Sequence, residues 1–294
     1  MANQVVIRSK EDVFNLVNSG AIVTHRSWMI ILIALGGTFI DAYDFTSLGI
    51  GAVQLKAQFH LSAVQLGSLT ATMAFGALIA AFIGGYYVDR VGRLKMFMLD
   101  LVFFVVSAIA AAFAPDLLVL LIFRFFMGVG VGLDFPAALS FVAEYTGTQR
   151  KGRSVQMWQV MWYTAAATGF IIIIPIYFLG AGADLWRWAV GIGAVPAVIV
   201  LALRYRYMDE SPMWAASKGD LQGAARVLRD AYGVDAVVAD GAERQTVRAQ
   251  MTSLKEYAQL FSRHYRARTT LAAVIGFTQS MEYFAVGFYP AVTR

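Results

Sequence analysis

The chain has 294 residues, 59% of them hydrophobic and 15% charged, and a formal net charge of +5. Soluble domains carry about 25% charged residues, so this composition excludes an ordinary soluble fold. With no cysteine, disulfides, iron–sulfur clusters and thiolate metal sites are excluded too. The positive charge sits in loops between apolar runs, so membrane topology explains it and no nucleic-acid partner is expected.

Residues 1–27 are polar and lack a small-residue cleavage site after a short apolar core, so the first apolar run is expected to be an uncleaved span. Glu11–Asn18 reads as a short amphipathic helix. Seven apolar runs then follow, near Trp28–Ile50, Ala63–Val88, Phe97–Phe113, Leu117–Tyr145, Gln156–Leu179, Leu185–Tyr205 and Thr269–Ala291. Each is close to the roughly 20 residues a helix needs to cross the hydrocarbon core. The third and fourth are joined by the tight turn Ala114–Asp116, the fifth and sixth by the Gly-rich Gly180–Asp184.

The expectation is therefore an all-α integral membrane protein with four regions: an N-terminal segment (1–27), a six-helix bundle (28–205), a polar helical linker (206–267) and a seventh span (268–294). Within the linker, Asp220–Tyr232 and Ser253–Ser262 are expected to be helical. Lys and Arg cluster on one side. That side carries Arg8, Lys10 and Arg26, then Arg90, Arg93 and Lys95, then Arg150, Lys151 and Arg153, with eleven more from Arg204 to Arg268. By the positive-inside rule it is cytoplasmic, as is the N-terminus. Trp28, Tyr86, Tyr87, Trp186 and Trp188 fall at span ends, where amphipathic rings favour the lipid–water interface.

An ionisable group at the centre of a span costs about 2.5–3.5 kcal/mol on insertion scales, so each is a functional candidate. The first span holds Asp41 and Asp44, whose i, i+3 spacing puts them on one face. The fourth holds Arg124 and Asp134, with Glu144 near its cytoplasmic end. At about 1.5 Å per residue, Asp44 lies roughly 24 Å from the cytoplasmic start of its span and Arg124 roughly 10 Å from the outer start of its own. An Asp44–Arg124 pair is thus geometrically allowed and suits proton coupling, since the guanidinium keeps the carboxylate ionised until it turns away. The alternative has Arg124 snorkelling to the interface while Asp44 lines a wet vestibule.

Between the second and third spans the chain reads Gly85-Tyr-Tyr-Val-Asp89-Arg90-Val-Gly92-Arg93-Leu-Lys95. Gly85 is expected to allow close helix approach, Asp89 to bond N–H groups of a neighbour, and Gly92 to support the turn. This loop resembles the signature of the major facilitator superfamily. More of the chain is similar to its sugar-porter branch and the related bacterial metabolite–proton symporters: Arg124-Phe-Phe-Met-Gly128-Val-Gly130-Val-Gly132, Glu144 with Lys151-Gly152, and Glu210-Ser211-Pro212-Met213-Trp214.

The resemblance implies an alternating-access transporter of twelve spans in two bundles, driven by a proton gradient without a bound cofactor. It implies proton coupling at Asp44, with Arg124 and Asp41 beside it. It implies solute contacts at Gln159 and near Gln279, to which Asp134, Trp162 and Glu282 are added as polar or aromatic intramembrane candidates. It also implies gating by Gly85, Asp89, Arg90, Gly92, Arg93, Glu144, Arg150, Lys151, Arg153 and Glu210. The expected partners are a small organic solute (a sugar, polyol or organic acid) and the bilayer of a bacterial-type inner membrane. Departures blunt the solute assignment: Asp41-Ala-Tyr-Asp44 is closer to the Asp-Gly-x-Asp of aromatic-acid and organic-anion symporters, and Glu282 stands in a seventh span without the sugar-binding Gln pattern. Trp158 and Trp162 flank Gln159 either as a stacking surface or as packing.

The glycine run at Gly128–Gly132 lies in an apolar helix with no preceding strand, which favours helix packing over nucleotide binding. No histidine has a partner at metal-ligand spacing, and no phosphate-binding loop for ATP occurs. Because only one span follows the first six, a second reading is a half-transporter acting as a sensor, a regulatory partner or an inactive remnant. No enzymatic pattern is present.

Overall fold

The computed structural model describes residues 4–19, 24–146, 151–239, 242 and 258–292. Among these, six helical stretches are long and apolar enough to span a membrane, at Arg26–Gln58, Ala63–Val91, Arg93–Ala112, Leu117–Tyr145, Gln156–Phe178 and Gly182–Tyr207. They correspond one to one with the first six expected spans. The seventh expected span forms a helix, Arg266–Val292; the side chains of residues 282–292 lie outside the described residues, and those described are almost all exposed.

Local chemistry sets the ends. Span 1 is built from α2 (His25–Ala34) and α3 (Gly36–Gln58), which meet at Leu35 before two glycines. α4 (Ala63–Val91) opens on Ser62, whose hydroxyl accepts from the Gln65 N–H while the Gln65 side chain accepts from the Ser62 N–H, a reciprocal cap. At Gly92, φ is +118°, a conformation other residues rarely adopt, and it separates α4 from α5 (Arg93–Ala112). α6 (Leu117–Tyr145) starts on Asp116, whose carboxylate accepts the Val119 N–H at 2.9 Å. α7 (Lys151–Phe178) forms span 5. α8 (Leu185–Ile192) and α9 (Ala194–Tyr207) form span 6, broken at Gly193.

Packing shows an internal repeat. Span 1 lies on span 5 as span 4 lies on span 2, span 3 lies on span 4 as span 6 lies on span 1, and spans 3 and 6 touch each other. Exchanging spans 1–3 with spans 4–6 reproduces these contacts, as in bundles built from two three-helix repeats. The tightest seam joins spans 2 and 4. A Cβ at Gly76 would overlap the Phe125 carbonyl, one at Gly128 the Met73 carbonyl, and one at Gly132 the Ala77 carbonyl. The glycine run is therefore a packing device, as its sequence context indicates. Span 1 is the central element: 78% of its most apolar stretch is buried, against 17% for span 5. Phe82, Ile171, Phe178 and Leu179 stand exposed on the outer surface, as lipid-facing side chains do.

The end of the bundle that carries Arg93 is covered by extramembrane structure. α1 (Lys10–Asn18), α10 (Pro212–Ser217) and α11 (Leu221–Tyr232) pack together there. α11 starts on Asp220 and stops at Gly233, whose φ of +65° is left-handed. The amphipathic helices expected at Glu11–Asn18 and Asp220–Tyr232 are thus observed. Two short strands depart from the all-α expectation: β1 (Val5–Ile7) pairs in parallel with β2 (Ala236–Val238), Val5 opposite Ala236. Half of the helix expected over Ser253–Ser262 falls outside the described residues, which show a short 3-10 turn at Ala258–Phe261. Trp186 also differs from expectation. It is fully buried rather than interfacial, packed on Phe59 and donating its Nε1–H to Gln58 at 2.5 Å.

Candidate functional site

Asp44 and Arg124 meet in the bundle interior. Arg124 Nη1 donates to Oδ1 at 2.9 Å and to Oδ2 at 2.7 Å. Their side chains are 1% and 0% exposed, which removes the snorkelling alternative for Arg124. Nη2 points to the Met73 sulfur at 2.9 Å, and Nε is buried with no partner. A guanidinium held by one carboxylate and a soft sulfur is tied chiefly by that carboxylate. Asp41, one turn before Asp44, is buried as well.

A second ionic cluster lies in the same bundle. Asp134 is ten residues beyond Arg124 on α6, about 15 Å along the axis. Its Oδ1 accepts from Arg204 Nη2 at 2.9 Å, and Arg204 Nη1 also reaches both oxygens of Asp100 at 3.1 and 3.2 Å. Arg204 further donates to the carbonyls of Phe97 and Ala34 and lies over the Phe97 ring, 3.9 Å from its centroid. Gly37 admits the cluster, since a Cβ there would overlap the Asp134 carboxylate and the Arg204 guanidinium. Two corrections follow. Asp134, expected among the solute contacts, is committed to Arg204. Arg204, grouped by sequence with the basic loop residues, is fully buried. Asp100 and Arg204 were missed as site candidates, although both lie within or at the edge of apolar runs.

At the Arg93 end, several expected gating residues do converge. Arg93 Nη2 donates to Glu144 at 2.7 Å and lies 3.3 Å from Asp89. Glu210 reaches across from the segment after span 6 to cap α5, its carboxylate accepting the N–H of Arg93 at 2.9 Å and of Leu94 at 3.2 and 3.3 Å. Glu210 thus bonds N–H groups of a neighbouring helix, the kind of contact the loop motif also suggested for Asp89. The Asp89 carbonyl accepts the Trp214 indole N–H at 3.0 Å. A Cβ at Gly92 would overlap the Glu210 carboxylate, so this glycine serves both the turn and the docking. Burial pushes the Glu210 carboxyl above its ordinary range, against the opposing pull of the Ser211, Leu94 and Arg93 N–H groups and the Arg93 charge.

Other members of the set are placed differently. Arg90 is exposed and lies over the Tyr86 ring, 4.1 Å from its centroid. Gly84 is pressed against a neighbouring span, beside Leu133 and Pro136, and the adjacent Gly85 is half-buried. Arg150 and the side chains of Lys151 and Arg153 lie outside the described residues.

The expected solute contacts divide in the same way. Gln159 is exposed on α7, next to a chain of rings crossing three spans: Phe45 to Trp162 at 6.0 Å, Trp162 to Trp158 at 5.3 Å, and Trp158 to Phe135 at 5.9 Å. The Trp158 indole N–H is buried with no partner. Gln279 is exposed on the helix Arg266–Val292, and the Glu282 side chain lies outside the described residues. Among the described residues no cluster of His, Cys, Asp and Glu has the geometry to hold a metal ion.

A family model described as "Sugar (and other) transporter" matches residues 25–293. The chain is 29% identical to the putative metabolite transport protein YaaU of Escherichia coli K12, over 87% of this chain and 55% of that protein. It is 32% identical to the major myo-inositol transporter IolT of Bacillus subtilis 168, over 68% of this chain and 43% of that protein. Among solved structures it resembles the proton:xylose symporter XylE bound to 6-bromo-6-deoxy-D-glucose, with TM-score 0.65 and 25% identity over 71% of this chain and 50% of that one. The chain spans about half the length of the curated relatives it matches.

Proposed function

The chain belongs to the sugar (and other) transporter family, as a multi-pass membrane protein with half of a major facilitator fold, and on that premise we propose that it serves proton-coupled uptake of a small organic solute. The solute class is a sugar, polyol or organic acid, moved by alternating access and driven by the proton gradient with no bound cofactor. The observation that carries this reading is the buried Asp44–Arg124 pair, 2.7 Å apart.

Within it, Asp44 is the proton carrier. While Arg124 is in contact, the carboxylate is neutralised in place. When rearrangement of the spans withdraws the guanidinium, a lone carboxylate in a dry site is costly and takes up a proton. Asp41, one turn away, contributes to the same local field. Gln159 and Trp162, with the rings beside them, offer an amide and an aromatic face, a combination suited to hydroxylated solutes. Gln279 and Glu282 are proposed to meet the solute from the seventh helix. Asp89, Arg93, Glu144 and Glu210 form the latch that holds one end closed. That end faces the cytoplasm of a bacterial cell, because it carries the excess of Lys and Arg.

The test is solute-dependent alkalinisation outside proteoliposomes that contain the longest natural form of the chain, over a panel of sugars, polyols and aromatic or aliphatic acids. One solute class that drives proton entry supports the reading. No proton movement with any solute, from folded protein, removes it.

A further inference from the structure

Arg204 is surrounded by more acid than it can neutralise. Asp41, Asp100 and Asp134 lie around this single guanidinium, and all four side chains are at least 96% buried. Arg204's two terminal nitrogens are already occupied. Nη1 serves the Phe97 carbonyl at 2.6 Å and Asp100, and Nη2 serves Asp134 and the Ala34 carbonyl at 3.3 Å. Asp41 receives neither, and its Oδ2 is buried without a hydrogen-bond partner.

Among the described residues no other cation is free to compensate it. The charged groups facing Asp41 are Asp134 and Arg204 from α6 and α9 and Asp44 on its own helix. Asp100 is bonded to Arg204 through Nη1. Arg124 is bound through Nη1 to both oxygens of Asp44. Among the remaining helices that pack on α3, Arg187 of α8 donates to the Ala112 and Ala114 carbonyls, and the Glu282 side chain on the helix Arg266–Val292 lies outside the described residues. Gly37, one turn before Asp41, lets span 1 lie directly on Asp134 and Arg204, which keeps the cluster dry.

We infer that Asp41, Asp100, Asp134 and Arg204 form a second buried proton-binding site, separate from Asp44–Arg124, in which Asp41 holds the proton. An unpaired carboxylate in a membrane interior is unfavourable, and adding a proton removes the charge while leaving both bonded carboxylates to Arg204. The inference rests on reading these helices as membrane spans. It does not require Asp44 to couple protons.

The experiment is infrared spectroscopy of the full-length protein in membranes at neutral pH, reading the carbonyl stretch of protonated carboxyl groups, which carboxylates lack. Wild type, Asp44→Asn, Asp41→Asn, Asp134→Asn and the exposed-site control Asp116→Asn are compared. Asp41→Asn is nearly isosteric and breaks no bond at Oδ2, so its fold should survive. The expected result is a band present in wild type, kept in Asp44→Asn and Asp116→Asn, and reduced by about one carboxyl in Asp41→Asn. A band missing from wild type, unchanged by Asp41→Asn, or lost only with Asp134→Asn overturns the inference. An Asp44→Asn protein that retains the band and still moves protons with solute would refute coupling at Asp44 and leave the second site standing.

Discussion

Arg124 holds Asp44 through a single terminal nitrogen that bonds both carboxylate oxygens, and its other terminal nitrogen meets only the Met73 sulfur. The guanidinium is thus committed to Asp44 and is not locked by backbone carbonyls, as Arg204 is. Of the two buried arginines among the described residues, Arg124 is the one built to exchange its partner.

Asp44→Asn leaves Arg124 as a buried charge without a counter-ion. Breaking a buried pair from one side costs about 3–5 kcal/mol. The variant is expected to unfold at a lower temperature in detergent than wild type. Asp44→Asn combined with Arg124→Gln should recover part of that loss. A double variant no more stable than Asp44→Asn alone would show that the pair does not carry the effect.

Gly37→Ala should destabilise the bundle by about 1–3 kcal/mol, the usual range for forcing extra volume into a packed core. The added methyl overlaps the Asp134 carboxylate and the Arg204 guanidinium, and neither can retreat without losing its bond. Gly67→Ala is the control, because nothing lies within 4 Å of a Cβ there. Thermal denaturation of both variants in the same detergent checks the contrast. Equal stability would mean that span 1 does not close on the cluster as observed.

The latch at Glu210 should depend on pH in a defined direction. Its carboxyl is held above the ordinary glutamate range when docked on α5, so the docked form binds the proton more tightly than the undocked form. Docking should therefore strengthen as pH falls into the window between the ordinary and the raised value, and weaken above it. In Glu210→Gln this dependence should vanish. Amide exchange at Arg93 and Leu94, whose N–H groups Glu210 accepts, reads the docking directly.

The extramembrane layer should loosen as a unit. Tyr232 stacks on Tyr145 at 5.7 Å, and Thr24 donates to the Ala231 carbonyl at 2.7 Å, so one end of α11 is tied both to span 4 and to the start of span 1. Removing a buried aromatic side chain costs about 3–5 kcal/mol. Tyr232→Ala is expected to speed proteolytic cutting in the segment 206–240 while the six spans stay resistant. Unchanged cutting would mean that the stack does not hold the layer.

The six spans and the Asp44–Arg124 pair were legible in the sequence because lipid leaves a simple record. Apolar runs must be about as long as the bilayer is thick, and charges inside them are rare enough to be matched by depth. The second cluster was not legible for a related reason. Hydropathy falls near Tyr205, so Arg204 counted as a loop residue, yet the helix runs on to Tyr207 and turns that side chain inward. Asp100 sits three residues past the start of the third apolar run, where a charge looks interfacial. α5 in fact begins earlier, at Arg93, which places Asp100 two turns inside. Nor does a single sequence show that Glu210 caps α5, since that depends on how the chain returns after span 6. The strand pair joins segments some 230 residues apart, and three-residue strands leave no periodic pattern.

Proton coupling at Asp44 is most directly tested by measuring solute-driven proton entry and solute binding side by side, in wild type and Asp44→Asn reconstituted at equal density. Coupling at Asp44 requires that the variant still bind the solute and move no protons with it. Proton entry at the wild-type rate in a folded, solute-binding Asp44→Asn protein would contradict it.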